Sequence, residues 1–165
     1  MNNRHLLRLN PDDPLCWEVW PYFEQRLQEV MPTLCHDSTF ELLKAPLRRA
    51  FAGDLPNFLM LALVDPDMKI DGHLVGWLDN AWGKNYAFIH QVQCDIPAGP
   101  FWPGAITEIR QWVDRMNHLG ANPKITEIKW VTSRGDGWAG LIREAATREH
   151  VIMTVPVDKL SRSRS

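Results

Sequence analysis

Residues 73–95 read His73-Leu74-Val75-Gly76-Trp77-Leu78-Asp79-Asn80-Ala81-Trp82-Gly83-Lys84-Asn85-Tyr86-Ala87-Phe88-Ile89-His90-Gln91-Val92-Gln93-Cys94-Asp95. The segment is rich in β-branched and aromatic residues, and Gly83-Lys84-Asn85 supplies a turn in its middle. It therefore reads as two antiparallel strands, His73–Leu78 and Tyr86–Cys94. On the second strand strict alternation puts Tyr86, Phe88, His90, Val92 and Cys94 on one face. Ala87, Ile89, Gln91 and Gln93 fall on the other. Just upstream, Phe58–Val64 is an uninterrupted apolar run bounded by Asp65-Pro66-Asp67, the pattern of a strand buried on both faces. A loop through Asp71-Gly72 is expected to return the chain into His73, which completes a three-strand antiparallel meander.

Outward from the meander the period changes. Downstream, Ile96–Gly104 is expected to be a proline-stiffened loop. It leads into a helix carrying Ile106, Ile109, Val113 and Met116 on one side and ending at Gly120. Lys124–Val131 then reads as a strand, residues 138–145 as a helix and Val151–Val157 as a last strand. Upstream, Arg4–Leu9 is a short strand with Leu7 and Leu9 on one face. Asp13 and Pro14 stand as N-cap and first residue of a helix bearing Cys16, Trp20, Phe23, Leu27 and Val30. Pro21 is expected to kink that helix or to start its main part, and Pro32 to end it. Ser38-Thr39-Phe40-Glu41 has the form of a capping box for a second helix, with Gly53 as its stop. The order is β-α-α-β-β-β-α-β-α-β, an α/β chain with a mixed central sheet of about 6–7 strands and about four flanking helices.

Composition narrows the function. A chain of 165 residues with 45% hydrophobic and 23% charged residues is expected to form a globular domain over residues 1–160, followed by a polar tail at 161–165. A net charge of −2, with acidic and basic residues interspersed, argues against a nucleic-acid partner. The three cysteines share no metal-ligand spacing, so no metal is expected. No apolar run approaches the ~20 residues of a membrane span. No signal-peptide pattern opens the chain, and a cytoplasmic location is expected. Eight tryptophans are an excess of the kind found at interfaces and grooves.

Several local stretches agree with one family. Leu15–Leu27 looks like a first helix, Gly72-His73-Leu74-Val75-Gly76-Trp77 like a strand in which Gly follows an apolar pair, and Ile142–Ile152 like a last helix turning into a final strand. With the element order over roughly residues 3–158, the chain resembles the GNAT superfamily of acyl-CoA N-acyltransferases. The resemblance implies a GNAT fold and acetyl-CoA bound along the strand Tyr86–Asp95. Val92, Gln93 and Cys94 would meet the pantetheine arm there. Gly99, Gly104 and Ala105 would meet the pyrophosphate at the start of the next helix, where backbone N–H groups and the helix dipole attract an anion.

The sequence departs from the family motif at that loop. Against Gln/Arg-x-x-Gly-x-Gly/Ala the best register is Gly99-Pro100-Phe101-Trp102-Pro103-Gly104, followed by Ala105. The last glycine matches, Trp102 replaces the middle one, and two prolines lack an N–H. The tyrosine that family members use in the last helix corresponds to Arg143. Their strand-borne glutamate is missing, and His90 is the titratable residue in mid-strand that could accept a proton. His90 packed as a hydrogen-bonded core residue is the competing reading.

Two functions follow. The first is transfer of acetyl from acetyl-CoA to a primary amine. The second is a catalytically silent GNAT-like scaffold, for example an assembly or virion component, that binds a protein partner through the Trp/Pro-rich segment Pro97–Pro103. Acceptor, partner and homo-oligomerisation are left open.

Overall fold

The meander lies in the middle of a six-stranded sheet whose strands follow one another in chain order. The structure, a computed structural model, describes residues 4–34, 40–81, 83–96, 101–132 and 151–156. Strand β1 (His5–Arg8) is followed by helices α1 (Pro14–Leu34) and α2 (Phe40–Phe51). Strands β2 (Phe58–Val64), β3 (Ile70–Ala81) and β4 (Lys84–Cys94) come next. Helix α3 (Phe101–His118) and strands β5 (Glu127–Thr132) and β6 (Val151–Pro156) complete the order. All neighbours are antiparallel except β4 and β5, which run parallel and so need the crossover that α3 provides. The helix expected near 138–145, the capping box at 38–39 and the tail lie outside the described residues.

Each face of the sheet carries its own core. On one, Leu59, Leu61, Leu63, Leu74, Ala87 and Ile89 pack under Phe101, Ile109, Trp112 and Val113 of α3. On the other, Met60, Ala62, Val64 and Val75 pack under Val19, Phe23 and Leu27 of α1 and Leu47 and Phe51 of α2. Strand β2 feeds both cores, which is why its sequence is an unbroken apolar run. Trp20 stacks on Phe51 with centroids 4.3 Å apart and ties α1 to α2.

The helix ends follow local chemistry. Asp13 Oδ1 accepts the Leu15 N–H at 3.0 Å, an N-cap with Pro14 in the first helical position. Helix α1 continues through Pro21 and Pro32 to Leu34, so neither proline acts as the expected boundary. Val19, Phe23 and Leu27 hold one face against the sheet while the Pro21 ring stays exposed. Gly53 (φ 89°) and Gly120 (φ 104°) close α2 and α3 in left-handed backbone. In both, the next N–H reaches back to the helix: Asp54 N–H to Arg49 O at 2.9 Å, Ala121 N–H to Met116 O at 3.1 Å.

Four further sequence expectations change. The turn between β2 and β3 sits at Asp65–Lys69, where Asp65 Oδ1 accepts the N–H groups of Asp67 and Lys69, each at 2.9 Å. Asp71-Gly72 is therefore strand, and Gly72 leaves room for Cys94 and Phe101, whose atoms lie 3.3 Å from a built Cβ. Helix α3 starts at Phe101, so Phe101–Gly104 is its first turn and no part of a loop. Strand β5 begins at Glu127, because the Asn117 side chain takes both the N–H and the carbonyl of Ile125, at 2.7 and 3.0 Å. The fourth change is on β4. Val75 faces Gln91 while Gly76 faces Ile89, so His90 is the extra residue of a β-bulge. Beyond it the alternation slips by one. Val92 and Cys94 join Ala87 and Ile89 on the α3 face, and Gln91 and Gln93 pair with Val75 and His73 on the α1 face.

Candidate functional site

The bulge coincides with a change in how β4 is paired. Its parallel ladder with β5 runs from Tyr86↔Glu127 to Ile89↔Trp130. The ladder with β3 continues to Gly72↔Cys94. From His90 onward β3 is the one ladder partner of β4 among the described residues, and β5 continues to Thr132 paired with β6. Asp95 N–H donates to Asp71 O at 2.8 Å, which sets the direction of the backbone here. By alternation Gln93 also turns its N–H and carbonyl to β3, and Val92 and Cys94 turn theirs to the edge that β5 has left.

Gly76 makes the bulge possible. A Cβ built on it would lie 2.8 Å from the Phe88 carbonyl oxygen and 2.8 Å from Ile89 Cδ1. A glycine inside a strand here permits close approach of backbone to backbone.

His90 sits in an aromatic nest on the α1 face. It stacks on Trp77 at 4.9 Å between centroids and meets Phe88 edge-on at 6.1 Å. Burial lowers its pKa to about 4. Across the strand pair lies a second histidine that periodicity passed over. His73 is 0% exposed, sits edge-on to Phe23 at 6.4 Å, and has neither ring nitrogen within hydrogen-bond geometry. Burial, and then the nearby Arg26 charge, lower its pKa to about 4 as well. Asp95 and the Gln91 side chain pull weakly the other way.

The first turn of α3 is spoken for by packing. Phe101 is 0% exposed, so it belongs to the core and not to an exposed recognition segment, and Trp102 meets it edge-on at 5.6 Å. A Cβ on Gly104 would lie 2.6 Å from Leu6 Cδ2, so this glycine lets the helix approach β1. Ala105 is fully buried in the same core. Phe101 and Trp102 carry N–H groups at the helix start, and Pro103 carries none. Gly99, Arg143 and the rest of Pro97–Pro100 lie outside the described residues. Among the described residues no three His, Cys, Asp or Glu side chains gather where a metal ion could bind. No helix among them is long and apolar enough to cross a membrane.

Sequence reading also missed a polar cluster at the end of β4. Arg26 Nη2 of α1 donates to both Asp95 oxygens at 2.5 Å, and Gln93 Nε2 donates to Asp95 Oδ1 at 2.9 Å. Arg26 lies 69 residues from Asp95, and no motif links the two.

No protein-family model matches the sequence, and no curated protein is similar to it. Solved structures are similar in fold. The NatC complex bound to Gag peptide and CoA contains a chain that superposes with a TM-score of 0.55 at 12% identity, over 94% of this chain and 99% of that one. The chain has the GNAT fold. The Escherichia coli GNAT-family N-acetyltransferase YhbS, in complex with CoA, agrees with a TM-score of 0.51 at 11% identity, over 97% of this chain and 86% of that one. In this GNAT fold the meander, the crossover helix and the parallel β4–β5 pair match the order read from the sequence.

Proposed function

We propose that the chain binds acetyl-CoA along the outer edge of β4 and transfers its acetyl group to a primary amine. The observation that carries this reading is the end of the β4–β5 ladder at the His90 bulge. It leaves Val92 and Cys94 turning N–H and carbonyl groups to an edge with no ladder partner among the described residues, where an extended ligand with amide groups can add as a further strand. The two GNAT-fold structures described above were solved with CoA, which supports the same reading.

Bound there, the thioester supplies an activated carbonyl carbon. The amine nitrogen bonds to it, the carbon–sulfur bond breaks, and the leaving thiolate takes up, through water, the proton that the amine gives up. The protein's contribution is to hold the two reactants in register. His90, with a pKa near 4, is neutral and a weak base at pH 7, so water receives the amine proton. The anion end of the site is the weaker part, because the α3 turn offers N–H groups from Phe101 and Trp102 and none from Pro103.

Isothermal calorimetry with acetyl-CoA tests the binding. A saturable heat is expected, and none at millimolar ligand overturns the reading. One set of observations favours a scaffold without cofactor: Gly104 is used to admit Leu6, and Trp102 occupies the turn. A folded chain that gives no heat with acetyl-CoA would leave that second reading standing.

A further inference from the structure

We propose that Arg26 is a positioning residue for the acyl-CoA edge of β4, an inference that rests on the cofactor reading above. Helix α1 is fixed on the sheet by Phe23 and Leu27, which are buried on either side of Arg26. From that anchored turn the Arg26 side chain, only 17% exposed, reaches Asp95 at the end of β4. Four hydrogen bonds to three partners converge on Asp95. Its N–H donates to Asp71 O at 2.8 Å, Arg26 Nη2 holds both carboxylate oxygens at 2.5 Å, and Gln93 Nε2 adds a contact at 2.9 Å.

Asp95 directly follows Cys94, whose outward backbone groups are half of the proposed ligand edge. It also precedes the segment that enters α3 at Phe101, so its placement sets both the strand end and the approach to the helix turn. Among the described residues no β5 ladder reaches β4 here, and the Arg26 contact supplies a restraint from the α1 face of the sheet. The pair also neutralises a carboxylate that would otherwise repel an anionic ligand at this end of the strand. A partly exposed ion pair contributes little net stability, so its effect belongs to placement more than to folding.

Calorimetry with CoA on the full chain tests this. Arg26→Gln and Asp95→Asn are each expected to weaken binding about tenfold. The double variant is expected to do no worse than either single one, because the two side chains act as one unit. Arg26→Lys should recover part of the loss. Arg48→Gln serves as control: it breaks the pair, at 2.5 and 2.9 Å, between Arg48 of α2 and Glu24 of α1, and CoA affinity should stay unchanged. Thermal melts confirm that each variant is folded. Wild type that binds no CoA overturns the cofactor reading itself. Wild type that binds, with Arg26→Gln equal to it or with losses that simply add, overturns the positioning role alone.

Discussion

Two histidines on one face, His73 buried and His90 half-buried, are both held near pKa 4. Burial favours the neutral ring, so the unfolded chain takes up a proton at each position at a higher pH than the folded one does. Each contribution is complete above pH ~6.5 and is lost as the pH falls toward 4. From pH 7 to pH 5 the loss is about 2 kcal/mol per group. Urea titrations at the two pH values check this, and His73→Leu should remove about half of the acid loss. An unchanged slope in that variant would show that His73 is not responsible. The same low pKa leaves His90 as a packing partner of Trp77 and Phe88, and any acetyl transfer should therefore keep rising with pH above 5. A rate that instead levels off as one group with pKa near 7 titrates would contradict a water-mediated proton transfer.

At the scale of elements, strand β4 decides the site. Its first half is a ladder strand held on both sides, and its second half has β3 as its one ladder partner among the described residues. The bulge at His90 is the hinge between them, and Gly76 is the residue that lets β3 tolerate it. Gly76→Ala must push the Phe88 carbonyl away, an overpacking expected to cost about 1–3 kcal/mol. At ~2–4 °C per kcal/mol for a chain of this size, the melting temperature should fall by several degrees. A melt equal to wild type would mean that the strand pair can relax around the methyl. Helix α3 is fixed more firmly. Trp112 is fully buried in the core beneath it, and Trp112→Ala should cost about 3–5 kcal/mol as measured by chemical unfolding.

For the molecule as a whole, a ligand that binds only the folded state must raise stability. At a CoA concentration one hundred times its dissociation constant the gain is about 2.7 kcal/mol. A rise of roughly 5–10 °C in melting temperature is expected. No shift at saturating CoA would turn the molecule toward the scaffold reading. Amide hydrogen exchange locates the effect. Val92 and Cys94 should gain protection on adding CoA, and Gln93, already turned to β3, should not.

The order of elements was legible because periodicity is local. A period of 2 marks β4, steps of three and four mark α1 and α3, and an unbroken apolar run marks a strand covered on both faces. Caps were legible for the same reason, as Asp13, Gly53 and Gly120 act on their own neighbours. What the sequence could not reveal is where the period slips. A bulge adds one residue to a strand without any signature of its own, and its position is set by the neighbouring strand and by the contact of Gly76 with Phe88. So the sequence determined that β4 exists and carries His90, Val92 and Cys94. Only the tertiary structure decided that Val92 and Cys94 lie under α3, that their backbone turns to an edge with no ladder partner among the described residues, and that Arg26 reaches the end of the strand. Those facts depend on residues distant in the chain, and no local pattern records them.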